Sequence, residues 1–195
     1  MRNNHIKNTL ARTIKHARNL ANNRQGVAAI EFGMVAPFVA LFMIGAINLF
    51  DGYQGAQSYQ NAGTTLVDLV TRHETTFGDA ERDNIFATAK ALLGEYGASG
   101  DFEICITSIA NIFDTANDST LTIAWSKSNV EGGEMSAADI ANYDIPNIPE
   151  GASVILVELS GSYEPYISTA NLGSYNYSRY FIRRPRFLDS IPYGN

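Results

Sequence analysis

The sequence predicts an α+β protein in which a long amino-terminal helix leads into a head built on an antiparallel sheet. Three observations carry this expectation. An apolar run of 24 residues, Val27–Phe50, holds a single charge, Glu31. Beyond it, helical spacing of apolar residues continues to Val70. Strand-like stretches then follow the helices instead of alternating with them, the order of an α+β chain.

Charge sets the topology. The 195 residues include 14 Lys+Arg and 20 Asp+Glu, for a net charge of −6. Residues 1–25 carry six basic side chains (Arg2, Lys7, Arg12, Lys15, Arg18, Arg24) and no acidic one. The remainder therefore holds eight basic and all twenty acidic residues, a net of −12. So acidic a body disfavours a nucleic-acid-binding surface. As a helix, Val27–Phe50 would rise about 36 Å, enough to cross a hydrocarbon core of about 30 Å. A helix buried in a soluble core is the alternative, and it is unusual at this length beside a basic flank. That flank predicts a cytoplasmic amino end and a head on the far side of the membrane. A cleaved secretory signal fits poorly, because the basic region and the apolar stretch are too long and no A-x-A site follows.

Glu31 is the informative residue of the span. An isolated carboxylate in hydrocarbon costs roughly 2.5–3.5 kcal/mol on insertion scales. It therefore needs a partner, or it reaches back to headgroups from five residues inside. Arg24-Gln25-Gly26 followed by Val27-Ala28-Ala29-Ile30-Glu31-Phe32 resembles a prepilin processing site, in which a Gly ends a basic leader and a Glu stands fifth after it. The stretch GVAAIEFGMVAPF, with Tyr59-Gln60-Asn61-Ala62, then Leu66-Val67-Asp68-Leu69-Val70-Thr71-Arg72, and Arg184-Pro185-Arg186 near the carboxyl end, is similar to the TadE/TadG family of the tight-adherence (Tad/Flp) type IVb pilus system. Phe32 stands where the major pilins of that system carry Tyr, which points to a minor pseudopilin or assembly component.

The resemblance implies a pilin-like head on a single-pass protein of the bacterial inner membrane, amino end cytoplasmic and head periplasmic or incorporated into a surface pilus. It implies cleavage by a prepilin peptidase after Gly26, where the missing Cβ lets the backbone lie close to the enzyme. That cut would leave 169 residues starting at Val27. Glu31 would then pair with a free α-amino group, its own or a neighbour's. The implied partners are the membrane, the peptidase, other pilins or pseudopilins and the assembly machinery, with no enzymatic activity, cofactor, nucleic acid or small-molecule substrate. Pro37 removes a helix donor and predicts a kink. Ala29, Gly33, Ala36 and Ala40 permit close helix packing. The rival is a signal-anchored periplasmic binding or enzymatic domain whose Gly26/Glu31 match is accidental.

Past the span, Tyr53, Ala56, Tyr59, Gly63, Leu66, Val67 and Val70 predict an amphipathic extension over 51–75, with Asp51 marking the exit from the bilayer. Gly52, Gly55 and Gly63 oppose it, each by around 1 kcal/mol relative to Ala. The soluble head occupies 76–195. A second helix follows, with Asp79 as N-cap, Glu81 and Asp83 in its first turn and Gly97 past its end. Its apolar face is Ile85, Phe86, Ala89, Leu92, Leu93 and Tyr96. Strands are predicted at Phe102–Phe113, Leu121–Ser126, Ser153–Tyr163 and Asn176–Arg183. In the second, Leu121, Ile123 and Trp125 alternate with Thr122, Ala124 and Ser126, as in a half-buried strand. Asn129–Ala152 reads as loop, with Ser136-Ala137-Ala138-Asp139 capping a short helix.

Reactive chemistry is sparse. Cys105, the only cysteine, lies in an apolar run, so no intramolecular disulfide forms and the thiol is predicted to be a buried small hydrophobe. His5, His16 and His73 lack metal-ligand spacing. Asp114, Asn117 and Asp118 predict a turn, since the Gly and terminal Glu of a calcium loop are missing. Asp101 and Glu103 make no acid–base pair without geometry. Tyr163, Tyr166, Tyr175, Tyr177 and Tyr180 read as core and edge packing, or else as a partner-binding face. Arg183, Arg184 and Arg186 form a basic patch for headgroups, for the acidic surface of another subunit, or for solvent. No residue is expected to be catalytic, to hold a cofactor or to bind a metal.

Overall fold

The computed structural model describes residues 18–19, 25–97, 102–113, 119–165 and 174–194. Asp101, Asp114, Asn117, Asp118 and Tyr166, and every basic residue of the leader except Arg18, lie outside them. Helix α1 spans Gln25–Thr71 and runs unbroken through Pro37. The chain divides into two compact units between Ile47 and Asn48. In the first, α1 is long and apolar enough to cross a membrane, and its large side chains from Val27 to Ile47 are mostly exposed. The second contains Asn48–Thr71 of α1 together with the head.

In the second unit the short strand β1 (Phe77–Gly78) leads into α2 (Asp79–Leu93), which closes in a 3-10 turn at Gly94–Gly97. Then come β2 (Phe102–Phe113), β3 (Ser119–Ser128), a 3-10 turn at Ala137–Asn142, β4 (Ser153–Tyr163), β5 (Tyr175–Arg183) and β6 (Tyr193–Gly194). The four long strands form one antiparallel sheet in the order β3-β2-β4-β5. The α+β architecture and the antiparallel sheet are as the sequence predicts.

Each face of the sheet is covered. On one side α1 and α2 bring Tyr59, Leu66, Val70, Ile85 and Leu93 onto Ile104, Ile106, Ile155, Val157 and Leu159. On the other, the 129–152 segment lays Met135, Ile148 and Ala152 over Cys105, Ile109, Val154 and Leu156. The two central strands β2 and β4 are therefore apolar on both faces, so FEICITSIANIF and SVILVEL read as near-continuous apolar runs. That is why their predicted limits coincide with the observed ones.

Four local expectations are corrected. Gly78, not Asp79, caps α2: its N–H donates to Glu81 Oε2 at 3.1 Å, and Asp79 is the first helical residue. Leu92 points away from the core and is 42% exposed, because the sheet-facing stripe of α2 is only as wide as Ile85, Ala89 and Leu93. Tyr53 is 61% exposed, with the buried face of α1 set instead by Tyr59, Ala62, Leu66, Val67 and Val70. The fourth correction concerns β3. Ser108 pairs with Trp125 and Ile109 with Ile123, so Ala124 is an extra residue in the ladder. This bulge breaks the two-residue period. Leu121 and Ile123 stay on the loop side, while Trp125 turns to the helix side and stacks on Phe77, ring centroids 5.3 Å apart.

The carboxyl-terminal segment has no counterpart in the sequence reading. After β5 it crosses the end of the sheet as a strap. Arg186 N–H donates to Thr71 O at 3.0 Å, Ser153 N–H to Asp189 O at 2.7 Å, and Trp125 Nε1–H to Ile191 O at 2.7 Å. Its last strand, β6, pairs in parallel with β1, two residues each. Ile191 is fully buried beneath it.

Candidate functional site

Two sets of residues on α1 are candidates, one in each unit. In the first unit, Gly26 stands at the helix start and is exposed, with no described residue outside its own helix within 4 Å of where a Cβ would be. Val27, Glu31, Phe32 and Pro37 are exposed, Phe32 to 74%. Among the described residues Glu31 has no hydrogen-bond or ion-pair partner. Among the described residues no element covers these side chains.

In the second unit, β5 runs in step with α1. Tyr175 to Arg183 covers about 26 Å of strand, and Gly52 to Asp68 about 24 Å of helix. That match lets alternate β5 residues meet successive turns. Tyr175 lies over Gly52 and its hydroxyl donates to Asn48 O at 3.1 Å. Tyr177 lies over Gly55 and donates to Gly52 O at 2.9 Å. Phe181 fills the space above Gly63. The three glycines that weaken the helix thus admit three aromatic rings, and backbone carbonyls serve as acceptors for two of them. Further along, Arg183 Nη1 reaches Asp68 Oδ1 at 2.9 Å and Arg186 binds the same oxygen.

Asp51 anchors the other end of this seam. Tyr163 donates to its Oδ2 at 2.8 Å, Tyr96 lies 3.2 Å from its Oδ1, and Tyr59 donates to Tyr96 O at 3.3 Å. Burial and then the Asp51 carboxylate push the Tyr96 hydroxyl up to about 12 and raise that of Tyr163 well above the usual phenol range. Burial, followed by Tyr175 and Asp51, takes Tyr177 to about 12. These hydroxyls stay protonated and donate across the physiological range. They are structural donors, not acids.

Asp68 works differently. Partial burial opposes its ionisation, but Arg186 and Arg72 outweigh it and hold the carboxyl below the ordinary aspartate value. A carboxyl lowered on folding contributes stability above its unfolded pKa, and this is lost as pH falls through the folded one. Asp68→Asn is expected to melt below the wild type at pH 7, with the two converging as pH falls through the lowered carboxyl pKa of folded Asp68. Parallel melting curves at every pH would contradict this.

Of the predicted basic patch, then, Arg183 and Arg186 are gathered on Asp68, and Arg184 remains exposed beside them. Cys105 is buried, with its Sγ 3.5 Å from Thr107 Oγ1 and 3.4 Å from Ser126 Oγ. Among the described residues no group of His, Cys, Asp and Glu is set to hold a metal. Sequence reasoning missed the roles of Gly52, Gly55, Asp51 and Asp68. A signal existed: glycines three residues apart on one helix, matched by aromatics two apart in a later strand.

No protein-family model, curated protein or solved structure matches the chain.

Proposed function

We propose that this protein is a minor pseudopilin or membrane-anchored assembly component of a tight-adherence pilus, cut by a prepilin peptidase after Gly26. The observation that carries the reading is the Gly26–Glu31 spacing at the head of a long, exposed apolar helix. A peptidase needs an accessible backbone, and Gly26 is exposed among the described residues. The exposed apolar surface of Val27–Ile47 is far larger than water tolerates on a soluble monomer, so lipid or neighbouring spans must cover it. In this reading the leader stays cytoplasmic, α1 crosses the inner membrane once, and the head is periplasmic or carried into the pilus.

Within that frame Glu31 compensates a free α-amino group in the bundle of spans, and Pro37 bends the span where Gly33 loses its helix donor. The glycine–aromatic seam makes α1 and the sheet a single folded unit from Asn48 onward, which suits a subunit handled by its helix. The head has no catalytic task here.

The test is made on membrane-extracted protein produced with its cognate peptidase. Amino-terminal sequencing is expected to start at Val27, and Gly26→Val to leave the leader attached. Glu31→Gln should be processed yet fail to support pilus assembly. Retention of residues 1–26 in assembled pili, or normal assembly by Glu31→Gln, would overturn the proposal.

A further inference from the structure

Three guanidiniums from three separate segments converge on one carboxylate. Arg72 follows the last residue of α1, Arg183 ends β5, and Arg186 lies in the carboxyl-terminal strap. Arg72 Nη2 donates to Asp68 Oδ2, while Arg183 Nη1 and Arg186 Nη2 both donate to Asp68 Oδ1. The backbone adds its own tie, because Arg186 N–H donates to Thr71 O at 3.0 Å. The cluster is nevertheless open to solvent. The side chains of Arg72, Arg183 and Arg186 are 57, 43 and 47% exposed, against 19% for Asp68.

Both charge and donors are left over. Asp68 cancels one of three positive charges, and the carboxyl end of α1 supplies about half a negative charge more. Glu74, two residues after Arg72, is exposed and makes no ion pair among the described residues, while Asp79 and Asp83 are held by Arg82. A surplus of more than one positive charge therefore stays at one point. Each guanidinium has five N–H donors and uses one on Asp68, so no described residue takes the other twelve of fifteen. A second carboxylate would bring two oxygens and one charge to these donors. A phosphate group brings three oxygens and nearly two charges, which suits converging planar forks better.

We infer that Arg72, Arg183 and Arg186, gathered by Asp68, bind a phosphate group. Asp68 holds the three forks together against their mutual repulsion and leaves their outer donors to the ligand. The inference goes beyond the pilus reading and does not depend on it, since no residue of the leader or the apolar stretch takes part. Phosphate can come from solution or from a lipid headgroup, and the bilayer is the poorer source. Asp68 lies eighteen residues beyond Phe50 on α1, about 27 Å from the end of the apolar stretch. That exceeds three Debye lengths at physiological salt, each about 8 Å.

The full chain, reconstituted in phosphatidylcholine nanodiscs at 150 mM NaCl, tests this by calorimetric titration with inorganic phosphate. One phosphate per chain is expected to bind. Arg72→Gln should weaken binding about fivefold at an unchanged melting temperature, since its pair with Asp68 lies within one helical turn and joins no separate elements. Arg184→Gln, at an exposed arginine outside the cluster, should leave binding unchanged. Discs containing one-fifth phosphatidic acid separate the two sources. Equal affinity in both discs, the expected result, assigns the phosphate to solution; weaker apparent binding beside phosphatidic acid assigns the same site to a headgroup. No binding of phosphate, binding that Arg72→Gln leaves intact, or equal loss in Arg184→Gln overturns the inference. Phosphate held by the basic leader would give the second of these results.

Discussion

Replacing Gly63 with leucine is expected to destabilise the head by about 3 kcal/mol, even after the gain of around 1 kcal/mol in helix propensity. The Phe181 ring occupies the volume where a side chain on Gly63 would begin. Phe181 stands on β5, fixed between the Tyr177–Gly55 contact and the Arg183–Asp68 pair, so the ring cannot retreat by sliding along the helix. Helix propensity alone would make Gly63→Ala stabilising; the packing reverses that sign. Denaturant unfolding of the full chain in detergent, followed by near-ultraviolet circular dichroism, reads both variants. A double-mutant cycle with Phe181→Ala should show coupling of more than 1 kcal/mol. Additive effects would mean that ring and glycine do not share space.

Trp125→Ala carries the other large effect, about 4 kcal/mol, from a vacated aromatic site and an acceptor left without its donor. Trp125 stacks on Phe77, packs near Tyr193, and donates to Ile191 O. It therefore ties β1, the strap and the sheet together at one point. Trp125→Phe should keep most of the packing and lose about 1 kcal/mol, the share of the hydrogen bond. Backbone exchange over residues 188–194 should rise in Trp125→Ala well before the sheet exchanges. Uniform acceleration across the whole head would show that the strap is not a separately anchored element.

Much of this architecture is legible in local pattern. The two central strands are read to within a residue because burial on both faces leaves nothing but apolar sequence between turns. The short helical turn after Ser136 follows from its Asp139, which accepts from both Ser136 N–H and Oγ, at 2.9 and 2.6 Å. The first half of α1 is legible for the same reason as the central strands: its apolar residues run almost without interruption. What failed locally failed for tertiary reasons. Trp125 alternates correctly in sequence and still faces the other way, because one inserted residue in the ladder is invisible without its partner strand. Leu92 and Tyr53 fit helical spacing, but the width of the buried stripe depends on what packs against it.

The candidate sites divide along the same line. Sequence alone determined the charge asymmetry, the apolar run and the spacing from Gly26 to Glu31, since each is a property of consecutive residues. Only the tertiary structure decided what Gly52, Gly55 and Gly63 are for, and that Arg183 and Arg186 are held by Asp68 while Arg184 is left exposed. Those outcomes join residues more than a hundred positions apart, and such pairings follow from the register of β5 against α1. Contact at that distance is set by the packed geometry of the whole head, which no local window contains.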